Sequence, residues 1–159
     1  MSIEKGREFF RAQGIEGRVQ EFAVSSATVE LAAEALGVEP ARIAKTLSFK
    51  SGDGCVLVVA AGDARIDNHK FKDKFAEKAK MLTADEVLKL VGHAVGGVCP
   101  FGIKDGVGVY IDRSVLRFKT VFPAVGSSNS AIELTPDELY KYSSATDWVD
   151  VCKLPEDVQ

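Results

Sequence analysis

Little in this sequence speaks for a stapled, membrane-spanning or metal-built protein. Its three cysteines, Cys55, Cys99 and Cys152, stand far apart and are odd in number, which excludes a disulfide framework. No CxxC pair occurs. The two histidines, His69 and His93, form neither an HExxH nor a zinc-finger spacing, so no metal site is expected. Long apolar runs are missing too. "CVLVVAAG" stops at Gly62, far short of the roughly 20 residues a bilayer helix needs. "MSIEKGREFFRAQG" has charges where a signal peptide carries its apolar segment. No membrane partner and a cytoplasmic location are the expectation. GxGxxG, a Walker loop and internal repeats are absent. The formal charge of −3 argues against tight nonspecific binding through many phosphates, while leaving room for a local basic patch.

What remains suits one domain over residues 1–159, with 46% hydrophobic and 27% charged residues. Ile3 to Gln13 reads as a helix closed by Gly14, and Val19 to Phe22 as a short strand. "TVELAAEALG" places Val29, Ala32, Ala33 and Leu36 on one helical face, with Gly37 as the stop. Pro40 suits a first helical turn, leading to a strand at Leu47 to Lys50. "SGDG", Ser51 to Gly54, signals a hairpin, and the apolar run after it a buried central strand. Asn68 to Lys80 reads as a lysine-rich surface helix. Thr83 with Glu86, and Thr135 with Pro136 and Glu138, are capping-box spacings. Strands are expected in "VGVYID" from Val107, "KTVF" from Lys119 and "AIEL" from Ala131. The polar tail after Asp150 is expected to fray. Short strands mixed with helices, without regular βαβ repeats, predict an α+β domain with a curved mixed sheet or partial barrel.

The densest backbone signal is "AVGGVCPFG", Ala94 to Gly102. Gly96 and Gly97 permit backbone angles closed to other residues, and Pro100 pushes Cys99 toward an extended conformation. Such a loop is either a turn between elements or a set of amides aimed at one anion. Cys99 is by default a buried thiol; as a nucleophile it would need a lowered pKa and a base such as His93. Lys45, in "IAKTLSF", either snorkels to solvent or holds a phosphate or carboxylate at a cleft edge, with Thr46 adding a hydroxyl. Asp63 and Asp67 are spaced for a carboxylate pair, although Asp67 also suits a helix cap.

Four stretches occur in order: "AKTLSF", "VVAAGDARIDNHK", "GGVCPFG" and "VYIDRSVLRFKTVF…AIEL". Together, from about Val19 to Tyr140, they resemble the YbaK/prolyl-tRNA synthetase-associated editing-domain family of aminoacyl-tRNA deacylases. The resemblance implies an α+β fold with a barrel-like mixed sheet. It also implies hydrolysis of the ester joining a wrong, small amino acid (alanine, serine, threonine or cysteine) to the 3′-terminal adenosine of tRNA. With no synthetase module in the sequence, the free-standing, trans-acting type is the one resembled. The family's essential lysine matches Lys45, and its glycine-x-x-x-proline loop matches Gly96 to Pro100. In this reading Lys45 and Gly97 are catalytic. Phe22, Thr28, Thr46, Gly96, Val98, Cys99, Pro100 and Ser130 bind substrate. Some members carry an aspartate or histidine just before the "IEL" strand; here Ser130 and Ala131 stand there. The expected partners are aminoacyl-tRNA and prolyl-tRNA or another synthetase, and the chemistry requires no cofactor. Two other readings stay open: a non-catalytic tRNA- or synthetase-binding module of the same fold, and a cysteine-dependent hydrolase. Lys70, Lys72, Lys74, Lys78 and Lys80 form either a solvated helix face or a patch for the acceptor stem.

Overall fold

The computed structural model describes residues 2–23, 28–93 and 97–155. The longest strands come from the apolar centre of the sequence. β2 (Ile43–Ser51) and β3 (Gly54–Ala61) form an antiparallel hairpin with Ser51 opposite Gly54. The turn requires a φ of 56° at Gly52, which glycine adopts without a Cβ clash. β3 is buried almost throughout because it has a strand on each side. β5 (Gly108–Asp112) pairs with it in parallel, and β8 (Asp147–Val149) pairs with β5. On the other edge β6 (Phe122–Pro123) runs parallel to Ile43–Ala44. The result is a five-stranded mixed sheet in the order β6-β2-β3-β5-β8. Two small antiparallel pairs form separate sheets: β1 (Val19–Glu21) with β7 (Ser130–Ile132), and β4 (Arg65–Ile66) with β9 (Cys152–Lys153).

Helices surround this sheet. α1 (Ser2–Ala12) sends Phe10 into the core against Phe101 and Tyr142. α2 (Val29–Leu36) starts at Thr28, whose hydroxyl accepts from the Leu31 amide, and ends at Gly37 in the left-handed region. α4 (Ala84–Leu90) and α5 (Pro136–Tyr142) each open on a complete capping box, through Thr83 with Glu86 and Thr135 with Glu138. The expected α+β fold with a curved mixed sheet and surrounding helices is the one observed.

Three expectations are corrected. The strand expected from Leu47 begins at Ile43, because β3 and β6 supply partners for its first residues. The helix expected over Asn68–Lys80 stops as α3 (Asn68–Phe75), with Ala76 at a φ of 60°. The chain beyond it serves the edge of β2 instead: the Lys50 amide donates to the Lys80 carbonyl (2.8 Å), and the Leu82 amide to the Ser48 carbonyl (3.2 Å). The tail expected to fray is packed as far as Lys153. Val151 and Cys152 are buried, the Val151 amide donates to Asp112 (2.9 Å) and its carbonyl accepts from the Asp67 amide (2.8 Å).

Candidate active site

A cavity of about 330 Å³ opens where β2, α2, β6, β7 and the glycine–proline loop converge. Lys45, Thr46 and Ser48 come from β2, Thr28 and Val29 from the start of α2, Val98 from the loop, and Ser130 from β7. Residues far apart in sequence thus share one cavity because β2 pairs at its beginning with β6, which in turn contacts β7. The remaining surface is mainly aliphatic, with Ala32, Ile43, Val87 and Ala131 among the lining residues. Among the described residues no carboxylate and no imidazole lines the cavity.

Lys45 does not snorkel freely, and it pairs with no acid among the described residues. Its half-buried ammonium donates to the main-chain carbonyls of Gly62 (3.2 Å) and Ala64 in the turn after β3. Burial pushes its pKa below the ordinary lysine value, against weaker opposing fields from Cys152 and Asp63. An ammonium has three N–H donors, so two carbonyls hold it in place and leave one donor for a ligand. Gly62 makes this geometry accessible: a Cβ there would lie 2.0 Å from the Pro40 carbonyl oxygen and 2.8 Å from Val29. The hydroxyl of Thr46 is buried and has no hydrogen-bond partner among the described residues. An unsatisfied hydroxyl in a cavity wall costs stability, and a bound polar ligand would satisfy it.

The glycine–proline loop forms the opposite wall by close packing. A Cβ on Gly97 would lie 2.6 Å from Ser127 Cα and 2.7 Å from Ser127 N, so glycine lets this loop seat on the 126–127 backbone. That second loop is stapled by Ser130, whose hydroxyl accepts from the Val125 amide (3.1 Å) and lies 2.9 Å from Ser127 Oγ. Asn129 then clamps Phe22, donating to its carbonyl (3.0 Å) and accepting from its amide (2.8 Å) through the Asn129 carbonyl.

The residues singled out in the sequence therefore divide. Lys45, Thr46, Thr28, Val98 and Ser130 meet in one cavity. Phe22, Gly97, Cys99 and Pro100 do not line it. Phe22 packs behind it against the cluster of Ala32, Ala33, Ile43, Phe122 and Ala131, Gly97 supports the wall, and Cys99 and Pro100 are buried. Gly96 lies outside the described residues. Cys99 is unsuited to nucleophilic attack. Burial pushes its thiol up to about 12, and its Sγ lies 3.5 Å from His93 Nε2 and 3.6 Å from the Phe101 carbonyl oxygen. His93 Nε2, 2.8 Å from that same carbonyl, is a donor to it, so this nitrogen is occupied with main-chain structure; Nδ1 is buried with no partner among the described residues, and burial lowers the pKa of the ring. Asp63 pairs with Arg117 and Asp67 caps α3, so the two acids do not act as a pair. Sequence reasoning missed the Gly62 and Ala64 carbonyls and the Ser127–Asn129 staple; the glycine of "AAGDAR" was the available signal.

A model of the aminoacyl-tRNA editing domain matches residues 24–142. The chain belongs to the aminoacyl-tRNA editing domain family. Several relatives match this editing domain. The uncharacterised Bacillus subtilis protein YwhH is 55% identical over 154 residues, covering 96% of the chain and 98% of YwhH. The Enterococcus faecalis protein EbsC, named as a candidate Cys-tRNA(Pro)/Cys-tRNA(Cys) deacylase, is 30% identical over 114 residues, 70% of each protein. A Thermotoga maritima proline–tRNA ligase is 36% identical over 93 residues, a match that covers 58% of this chain and 16% of the ligase. A crystal structure of a candidate trans-editing enzyme for prolyl-tRNA synthetase superposes with a TM-score of 0.86 at 29% identity, covering 96% of this chain and 97% of that one.

Proposed function

We propose that this editing domain is a trans-acting hydrolase that cleaves the ester of a tRNA mischarged with a small amino acid, tRNA(Pro) carrying cysteine or alanine foremost. The observation that carries the reading is the meeting of Lys45, the unpartnered Thr46 hydroxyl and the loop wall at Val98 in one small cavity. Full-length similarity to a candidate trans-editing enzyme, and the substrate named for EbsC, support it. The similarity to proline–tRNA ligase supports prolyl-tRNA synthetase as the partner that supplies the mischarged tRNA.

An aminoacyl ester is activated toward water, so the protein's task is orientation and stabilisation of charge in the transition state. Lys45, fixed by two carbonyls, uses its third donor on a phosphate or sugar oxygen of the terminal nucleotide. Val98, seated by the close packing of Gly97 on the 126–127 backbone, positions the aminoacyl end. Water adds to the ester carbonyl carbon, the bond from that carbon to the 3′ oxygen breaks, and the proton released by water ends on the ribose oxygen. A neighbouring ribose hydroxyl or the substrate's own amine relays that proton, in keeping with a cavity that offers no carboxylate or imidazole among the described residues. Size sets selectivity: collision with the walls around the aminoacyl end rejects a bulky side chain, but the site gains only about 1–3 kcal/mol per methylene among small ones.

A panel of tRNAs charged with alanine, cysteine, serine, threonine and phenylalanine tests this. Wild type is expected to release at least one small amino acid and to leave phenylalanine in place. Lys45→Ala is expected to lower kcat/KM about 10–100-fold, from the loss of a charge-assisted contact of about 1.5–3 kcal/mol. Cys99→Ala is expected to retain turnover with no acyl adduct by mass spectrometry. Saturable tRNA binding without release from any member of the panel would establish the non-catalytic module instead.

A further inference from the structure

A second cavity, of about 420 Å³, lies between β9, α3 and the 3-10 turn Arg113–Arg117. Lys70, Arg113, Arg117 and Lys153 line it together with Asp112 and Asp150. The acids here are all engaged. Asp150 accepts from Lys70 Nζ (3.1 Å). Asp112 is buried and accepts from the amides of Ser114 and Val151, both at 2.9 Å. Asp63 holds Arg117 (3.1 Å). Asp67, which also faces Lys70 and Lys153, caps α3 through the amides of His69 and Lys70. In contrast, the exposed Arg113 and Lys153, and Arg65 opposite Lys153 in the β4–β9 ladder, have no ion pair among the described residues. The charge left over is therefore cationic, in a chain of net charge −3.

The position of this cleft relative to Lys45 gives it a meaning. Gly62 and Ala64 bind the Lys45 ammonium with their carbonyls. Asp63, between them, holds Arg117 on the cleft side. One three-residue turn, at most about 10 Å of chain, thus separates the ammonium from the cationic cleft. We propose that this cleft takes the phosphodiester backbone of the single-stranded 3′ end next to the terminal adenosine, with Arg113 and Lys153 as its phosphate contacts. The inference rests on the reading of the first cavity as the site for the aminoacyl-adenosine. The lining cations come from α3, the turn after β5 and β9, so the lysine run 70–80 contributes only Lys70 to the cleft, and that lysine is already tied to Asp150 and the Cys152 carbonyl.

The test compares wild type with Arg113→Gln/Lys153→Gln, checked for folding by circular dichroism. KM is measured for a mischarged tRNA and for the matching 3′-aminoacyl-adenosine, which has no phosphates, over a range of KCl. The ratio of the two KM values is expected to rise about tenfold in the variant. The slope of log KM for tRNA against log salt is expected to flatten by about 1.4, or 0.7 for each of two single-strand phosphate contacts. The charge-conserving pair Arg113→Lys/Lys153→Arg is expected to restore both. An unchanged ratio and slope in the folded variant overturns the proposal. Should wild type cleave neither ester, the reading of the first cavity fails, and the cleft is judged separately by titrating an uncharged acceptor-stem hairpin ending in CCA. Weaker binding by the glutamine variant then supports the cleft, and equal binding overturns it.

Discussion

Thr46 carries the sharpest conflict between stability and use. Its hydroxyl is buried with no partner among the described residues, next to a lysine whose ammonium is held by main-chain carbonyls. Replacing the hydroxyl by a methyl removes the unsatisfied group. Thr46→Val is therefore expected to leave stability unchanged or raise it by up to about 1 kcal/mol, read by urea unfolding. Deacylation is expected to fall about tenfold in kcat/KM, because the ligand loses the hydrogen bond that completes this hydroxyl. A variant as active as wild type would show that the hydroxyl contacts no substrate. Ser130 differs in kind. Its oxygen is committed to the Val125 amide and the Ser127 hydroxyl, so it shapes the cavity wall rather than presenting a free group to the substrate.

At the scale of elements, two loops form the wall by contact of backbone on backbone. Gly97→Ala places a Cβ 2.6 Å from Ser127 Cα, with no flexible side-chain end to give way. The expected cost is about 1–3 kcal/mol of stability, as in overpacked cores, with a raised KM as Val98 is displaced. Gly17→Ala is the matched control: a Cβ there meets nothing within 4 Å, and a change within about 0.5 kcal/mol is expected. The ends of α4 and α5 were legible in the sequence because a capping box is a local rule. The end of α3 was not. Lysines continue past Phe75 in a pattern that suits a helix, but the edge of β2 needed partners for its backbone, and Lys80 and Leu82 supply them. The packing of Val151 and Cys152 escaped for the same reason: their partners, Asp67 and Asp112, are distant in sequence.

For the whole molecule, buried His93 and then the carboxylates held down by their partners, Glu138 foremost beside Asp67 and Glu86, give the stability a two-stage dependence on acid. His93 is fully buried, and burial lowers its pKa below 6.5. As pH falls below about 6.5 the unfolded chain takes up a proton that the folded chain refuses, so stability decreases. Glu138 is held down to about 2 by Arg18 and the Thr135 amide. Its contribution is present above pH 4.5 and is lost as pH falls from there toward 2. The Arg18–Glu138 pair is partly exposed, so screening limits its share of that second stage to about 1 kcal/mol. Urea midpoints at pH 7.5, 5.5 and 3.5 are expected to fall in two steps. His93→Gln, which keeps a donor for the Phe101 carbonyl, is expected to remove the first step and leave the second.

The sequence by itself determined the α+β class, the β2–β3 hairpin, the capped helices and, through its ordered stretches, the family. These follow from local rules of turn chemistry, periodicity and capping, or from a pattern read along the chain. Only the tertiary structure decided that the Lys45 ammonium rests on the Gly62 and Ala64 carbonyls, that Cys99 lies buried behind the wall, and that Arg113 and Lys153 face one cleft. Those arrangements depend on which strand edges and loop backbones meet across the sheet, and pairings between distant residues leave no mark at any single position of the chain.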